Sequence, residues 1–300
     1  MALVVCPRPS LTYIHRPIKQ NGKSMHIIYR NFVRLLAAGS FNSHGPVESM
    51  SLFKWQRLME VARFHGVHEY VMQGIIRSQE QGYNGTPSTI IQLAKDEAEK
   101  SDHFAQPLLQ GDNYHPARND ERRFSNFIYQ HRYNKIVYNE IHSIDTSTTT
   151  LEFLDICISH VNKMYLEGLQ LNDIITFGAW LRQLGDKTDF VKIDQWIGSL
   201  HIGKALDLLG SHLVALFGFD KEEIPFMKRY DEQVYLTTFE AMKEELMDGC
   251  EHLAAEKGRK TVSRVCHSNA LPLKYFKYNP TEAASKVMAN IARSLSNIDE

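Results

Sequence analysis

Basic and aromatic side chains alternate in the segment YHPARNDERRFSNFIYQHRYNKIVY, which spans residues 114–138. Its cationic residues are Arg118, Arg122, Arg123, Arg132 and Lys135. Cationic groups beside aromatic rings are typical of proteins that bind single-stranded nucleic acid. The alternative, which we favour, is an amphipathic helix that buries Phe124, Phe127 and Ile128 and leaves its arginines in water. Two acidic residues in the same segment partly neutralise its charge.

Histidines provide two further candidates. His160 lies among Leu and Ile residues at helical spacing, which favours a core histidine with one hydrogen-bonded nitrogen over a general base. His65, His68 and Glu69 form an H-x-x-H-E pattern, and residues three apart on a helix share a face that suits zinc. Gly66 weakens that helix and no third ligand is evident. We therefore predict half-buried or surface histidines here, and no metal site.

The overall composition is that of an ordinary globular protein. The chain has 300 residues, 43% of them hydrophobic, and its 34 basic and 35 acidic residues give a net charge of -1. This balance excludes a global attraction to nucleic acid or anionic membrane, although it allows a local basic patch. The cysteines show no framework or metal spacing, which predicts reduced thiols and a cytoplasmic protein. No apolar run approaches the roughly 18 residues that span a bilayer, and the first residues lack a signal-peptide pattern.

Apolar residues recur at helical spacing along most of the chain, and no series of alternating strand segments is found. Trp55, Leu58, Met59 and Ala62 fall at i, i+3, i+4 and i+7, the spacing of a buried helix face. Residues 190–217 fit one long helix, or two helices that break near a glycine. The sequence predicts an all-α, multi-helix bundle with no substantial sheet.

The positions of proline and glycine residues divide the chain into four parts. Residues 1–24 are expected to be a disordered extension, or one that precedes the natural start of translation at Met25. Residues 25–80 form the N-terminal helices, 81–123 a connector, and 124–300 the main helical domain.

From residue 151 onward the chain resembles the C-terminal helical part of nucleotidyltransferase family 5. The matching segments are LDICISHVNKM, LNDIITFGAWLRQLG, WIGSLHIGKALDLLGSHLVALFGF, EEIPF and YFKYNPTEA. The segments FVRLLAAGSF and SLFKWQRLMEVARFHGV resemble the N-terminal helices of that family. The resemblance covers about two thirds of the chain, more by helical pattern than by sharp motif.

In that family a catalytic core lies between the two helical parts. Such a core needs a glycine-rich turn for the triphosphate and an Asp-x-Asp/Glu pair for Mg²⁺. Our nearest match places Asp220 and Glu222 after the Gly210-Ser211 pair. The residues between Ser211 and Asp220, however, continue a helix. Asn172 and Thr176 also stand where the resemblance predicts Arg and Asp.

The resemblance therefore implies a pseudoenzyme that has lost its catalytic core, with no catalytic residue, cofactor or metal. Its role would be to bind another protein, or a retained nucleotide or nucleic-acid ligand. Ligand candidates are Arg118, Arg122, Arg123, Arg132, Lys135 and His160. Two alternatives stay open: a diverged Mg²⁺-dependent nucleotidyltransferase, and single-stranded nucleic-acid binding through residues 114–138. The partner and the oligomeric state are left open as well.

Overall fold

A computed structural model describes residues 27–43, 45–83, 85–100, 123–231, 234 and 270–296. These residues form helices and turns and contain no strand, so the predicted all-α fold is confirmed for them. No helix among them is long and apolar enough to cross a membrane. The predicted extension at 1–24 lies outside the described residues, as does most of the predicted connector. The predicted domain boundaries stay a prediction.

Eleven α-helices follow one another in the described part of the chain. They are α1 (Ile27–Phe41), α2 (Leu52–Phe64), α3 (His68–Glu80), α4 (Ser88–Lys100), α5 (Phe127–Ile141), α6 (Thr148–Leu166), α7 (Leu171–Leu184), α8 (Phe190–Leu200), α9 (Gly203–Phe217), α10 (Ala270–Lys274) and α11 (Pro280–Ser296). Short 3-10 turns at Gly185–Lys187 and Lys221–Glu223 follow α7 and α9.

The N-terminal helices pack around an unusually close crossing of α1 and α3. A Cβ atom on Gly39 would overlap the Tyr70 carbonyl, and one on Gly74 would overlap the Leu35 carbonyl. Only glycine lets the two backbones approach to this distance. Arg77 fastens the crossing, because its guanidinium donates to the Gly39 carbonyl oxygen at 2.7 Å. The carbonyl groups at the end of α1 are thereby satisfied.

Helix α6 runs through the main core, where most of its side chains are buried. Phe153 stacks on Phe177 at 5.6 Å between ring centroids and meets Phe226 at 5.8 Å. The N-terminal helices join this core through Phe41, whose ring lies 5.0 Å from that of Phe217 and edge-on to it. The buried side chains form one continuous cluster from α1 to α11.

Residues 190–217 form two helices, and the break lies at His201 and Ile202, not at the neighbouring glycines. His201 has a left-handed backbone (φ 56°, ψ 29°) and donates its N–H to the Gly198 carbonyl oxygen. Ile202 donates to the Ile197 carbonyl oxygen and is fully buried. This is a Schellman motif, a helix end that usually has glycine in the left-handed position. Because His201 occupies this position, the neighbouring glycines Gly198 and Gly203 did not indicate where α8 ends.

Helix α5 lies at the surface and packs on the core through Tyr129, Tyr133 and Ile136. The predicted burial of Phe127 and Ile128 is wrong, since their side chains are 79% and 45% exposed. They lie on the opposite side of the helix, where a turn of about 100° per residue places them. Of the three aromatic and aliphatic residues expected in the core, only Phe124 is buried.

Candidate functional site

The basic residues singled out in the sequence differ in where they lie. Arg118 and Arg122 lie outside the described residues. Arg123 is exposed just before α5, and Lys135 is exposed in the middle of that helix. Arg132 points toward α8, where its guanidinium donates to the Ser199 carbonyl oxygen at 2.7 Å and lies 5.9 Å from the centroid of the Tyr129 ring.

His160 is buried at the contact between α6 and α7. Its Nδ1 lies 2.8 Å from the Ile156 carbonyl oxygen, and its Nε2 lies 2.9 Å from the Asp173 carbonyl oxygen. Burial lowers the pKa of His160, against the opposite effect of the Asp173 carboxylate. Both ring nitrogens face backbone carbonyls, so this arrangement joins two helices and presents no nitrogen to a substrate.

The H-x-x-H-E pattern does not gather ligands around one point. His68 Nε2 lies 2.8 Å from Glu97 Oε2 on α4, while His65 ends α2. Burial lowers the pKa of His65 to about 4, which keeps this ring neutral at physiological pH. The described residues contain no group of three or more His, Cys, Asp or Glu that could hold a metal ion.

A cavity of about 570 Å³ opens where four segments of the chain meet. Its walls come from α5, the turn between α8 and α9, the irregular stretch after Pro225, and the turn before α11. The residues that define its chemistry are Tyr129, His201, Lys204, Asp207, Lys228, Arg229, Asn279 and Thr281. This volume lies within the range of small-molecule sites in proteins.

The lining of this cavity is positively charged. Lys204, Lys228 and Arg229 contribute three cations, and all three side chains belong to exposed residues. Asp207 is the one carboxylate among the described lining residues, and its Oδ1 accepts the backbone N–H of Lys228 at 2.8 Å. Lys228 also pairs with Asp194 at 2.7 Å. The three cations therefore exceed these two carboxylates by one positive charge.

Two long helices begin at the cavity wall. Gly203 and Lys204 open α9, which has no side-chain cap, so its first N–H groups lack intrahelical partners. Pro280 and Thr281 open α11 on the other side. Helix N-termini carry partial positive charge and present N–H groups to anions. The α9 end adds its first N–H groups to the lysine and arginine side chains, whereas the α11 end adds only the Thr281 N–H. Pro280 has no N–H, and the Glu282 N–H already donates to Asn279 Oδ1.

A buried amide with an unused donor lies in the same wall. Asn279 is only 1% exposed, and its Oδ1 accepts the Glu282 N–H at 3.2 Å as the cap of α11. Its Nδ2 has no hydrogen-bond partner among the described residues. A buried donor without a partner costs about 1–3 kcal/mol, so the fold accepts this cost at the start of α11.

The opposite wall is apolar and aromatic. Tyr129 and Phe226 are both buried and line the cavity, and the His201 ring lies 5.6 Å from that of Tyr129. His201 holds this place through its left-handed backbone, a conformation that costs a residue other than glycine about 1–2 kcal/mol. Strain of this kind is concentrated at functional sites. The cavity thus has cationic and aromatic residues in its lining, with the Tyr129 and His201 rings tilted by 51° to each other.

The cationic residues of the cavity carry only weak signals in the sequence. Lys228 and Arg229 follow a proline turn as an isolated Lys-Arg pair, and Lys204 follows a glycine at a helix start. Each signal is weak alone. A combination of Gly-Lys at an uncapped helix start with a basic pair after the same helix would have indicated an anion site.

The chain matches no protein-family model, no curated protein and no solved structure. The resemblance to nucleotidyltransferase family 5 consequently stays a prediction, and the site geometry carries the functional argument.

Proposed function

We propose that this protein binds a small phosphate-bearing molecule in the cavity between the α8–α9 turn and the start of α11. The observation that carries the proposal is that two helix N-termini meet Lys204, Lys228 and Arg229 around a space lined by one carboxylate, while a second carboxylate, Asp194, pairs with Lys228. Phosphate groups suit such a site because they accept hydrogen bonds from backbone N–H groups and from lysine and arginine together.

The aromatic wall defines the rest of the ligand. Tyr129 and Phe226 offer an apolar surface beside the cations, so a phosphate ester that carries a ring would use both sides of the cavity. Nucleotides have this combination and are suitable probes. This proposal takes up one of the roles considered from the sequence, a retained nucleotide ligand.

Binding is the activity that this cavity supports, rather than nucleotidyl transfer. Transfer through Mg²⁺ would need neighbouring carboxylates to hold the ion over the phosphates. Asp207 stands alone among the described lining residues, and its Oδ1 already accepts a backbone N–H. We therefore retain the hypothesis of a non-catalytic, nucleotidyltransferase-like protein that acts through its ligand or a partner protein.

Isothermal titration of the full chain with AMP, ATP and pyrophosphate at low salt tests the proposal. We expect saturable binding of at least one probe, and a loss of at least about tenfold in affinity for Lys204→Glu and for Arg229→Glu, because each substitution reverses a charge beside the phosphate. Lys221→Glu is the matched control, since Lys221 is exposed and does not line the cavity. No binding at millimolar probe, or equal binding by all variants, would reject the proposal.

A further inference from the structure

Helix α5 exposes a stripe of aromatic and cationic side chains that the proposed cavity does not use. Phe127 is 79% exposed and Tyr138 is 63% exposed, and the second follows the first by 11 positions. At about 100° and 1.5 Å per residue, the two rings lie on the same face, roughly 16 Å apart along the helix. His131 and Lys135 occupy the same exposed face between them. We define the α5 stripe as Phe127, His131, Lys135, Tyr138 and His142.

The charge of the α5 stripe favours an anionic partner. The structure describes every residue of α5, and the one carboxylate in this helix belongs to Glu140, which is buried. Glu140 accepts hydrogen bonds from Lys192 Nζ at 2.8 Å and from the Ser147 N–H at 2.9 Å. The exposed face of α5 therefore carries one cation, Lys135, and no carboxylate. Asp145, beyond the end of the helix, is exposed and lies 3.7 Å from Lys192 Nζ.

The rings of the stripe are arranged for stacking. Tyr138 and His142 lie 4.2 Å apart between ring centroids at an interplanar angle of 32°, which forms a platform at the C-terminal half of the helix. At the N-terminal end, a cavity of about 670 Å³ opens beside Phe127 and is lined also by Arg123, Gln130, His131 and Asn134. It offers the Phe127 ring and the Arg123 cation, whereas the Gln130 amide accepts the Phe124 N–H at 2.8 Å and donates to Asn134 Oδ1 at 2.9 Å.

We propose that the α5 stripe binds single-stranded nucleic acid, with bases stacked on Phe127 and Tyr138 and backbone phosphates beside Arg123 and Lys135. Exposed rings alternating with cations are the combination that such strands require, because every base has a stacking face and every link carries a negative charge. An apolar partner helix would leave Lys135 to be desolvated in the middle of its contact. The phosphates of a single strand, by contrast, would pair with the Lys135 ammonium.

Fluorescence anisotropy with labelled 12-nucleotide RNA and DNA strands and the full chain tests this inference. We expect binding that weakens as salt rises, and at least about a tenfold loss of affinity for Phe127→Ala/Tyr138→Ala, since each stacked base contributes about 1–3 kcal/mol. Lys135→Glu should weaken binding and flatten the salt dependence by about one unit of slope or more.

Phe53→Ala is the matched control, because Phe53 on α2 is 74% exposed and lies outside α5. All substituted side chains are exposed, so unchanged thermal unfolding is expected and would confirm that the variants fold. Lack of binding at low salt, or equal affinity of parent and double variant, would overturn the inference. A dimer seen by light scattering that dissociates in Phe127→Ala/Tyr138→Ala, without strand binding by the parent, would assign the stripe to a second copy of this chain and overturn it too.

The inference does not rest on the phosphate cavity. The variants separate the two sites: Lys204→Glu should leave strand binding within about twofold, and Phe127→Ala/Tyr138→Ala should leave nucleotide binding unchanged. Loss of strand binding in Lys204→Glu, with strand binding kept in Phe127→Ala/Tyr138→Ala, would place the strand in the cavity and reject the α5 stripe.

Discussion

Glu282 is the buried carboxylate that fixes the two helices around the candidate site. It is fully buried, and its two oxygens accept the Ser125 N–H at 2.7 Å and the Asn126 N–H at 3.0 Å. Lys286, one turn further along α11, lies 3.7 Å away and balances the charge. The start of α5 is thereby held against α11, whose first residues line the cavity.

Replacement of Glu282 by glutamine is predicted to destabilise the protein. The amide oxygen can accept one backbone N–H, but the amide NH₂ group faces the other donor, and the buried Lys286 ammonium loses its counter-charge. We expect the free energy of unfolding to fall by about 3 kcal/mol, measured by urea denaturation. Glu60→Gln, which removes a surface partner of Arg57, should cost less than about 1 kcal/mol. A Glu282→Gln protein as stable as its parent would contradict this role.

His212 makes stability depend on pH. Its Nδ1 lies 2.8 Å from the Leu208 carbonyl oxygen, and burial lowers the pKa of His212 to about 4. Above pH 6.5 the ring is neutral in both the folded and the unfolded chain. As the pH falls from 6.5 toward 4, the unfolded chain takes up a proton that the folded chain does not. The stability that this neutral ring contributes is therefore lost on acidification through that window.

We predict that this residue alone lowers the free energy of unfolding by about 2 kcal/mol between pH 7.5 and pH 5. Urea denaturation of His212→Leu at the two pH values should show a pH dependence smaller by that amount. Leu213→Val serves as the control, because it destabilises the same helix without removing a titrating group and should shift both values equally. An unchanged pH dependence in His212→Leu would show that His212 is not kept neutral by the fold.

At the scale of elements, the packing of α1 on α3 is limited by two glycines. We predict that Gly39→Ala lowers the free energy of unfolding by at least about 3 kcal/mol, because the added methyl group meets the Tyr70 backbone carbonyl, which cannot move as a side chain would. The measurement is again urea denaturation.

Alanine at position 185 is expected to have the opposite effect on stability from alanine at position 39. Gly185 has helical φ and ψ, and a Cβ atom there would meet nothing within 4 Å. Gly185→Ala should raise the free energy of unfolding by about 0.5 kcal/mol, since alanine restricts the unfolded chain more than glycine does. If both substitutions had the same effect, the close crossing of α1 and α3 would not be the reason for glycine at position 39.

The sequence pattern predicts helices better than it predicts where they end or which side they bury. The i, i+3, i+4, i+7 pattern of Trp55, Leu58, Met59 and Ala62 corresponds to four buried side chains. The break at His201 was missed because a histidine takes the left-handed position, for which the pattern of glycines is no guide. The exposed side of α5 was missed because Phe127 looks like a core residue in any pattern based on hydrophobicity.

At the scale of the whole molecule, the all-α class follows from periodicity, whereas the cavity does not. Tyr129, Lys204, Arg229 and Thr281 belong to four segments that span about 150 residues of the sequence and meet only in the folded chain. Local pattern holds no information on which of those segments are neighbours. The buried bonds of Glu282 that bring them together could not be inferred from spacing either.

The net charge of -1 conceals an uneven distribution of charge. The described residues place Lys204, Lys228 and Arg229 at the cavity and Lys135 on the exposed face of α5. Composition excludes a global attraction to anions but not this local concentration.

The central claim is that the α9 and α11 N-termini together bind phosphate. A titration of the ¹⁵N-labelled protein with AMP or pyrophosphate, followed by nuclear magnetic resonance, tests it most directly. We predict saturable shifts of the Gly203, Lys204 and Thr281 backbone amide signals, with smaller shifts elsewhere. Saturating ligand that leaves these three amides unchanged, or that shifts signals only in other parts of the protein, would contradict the claim.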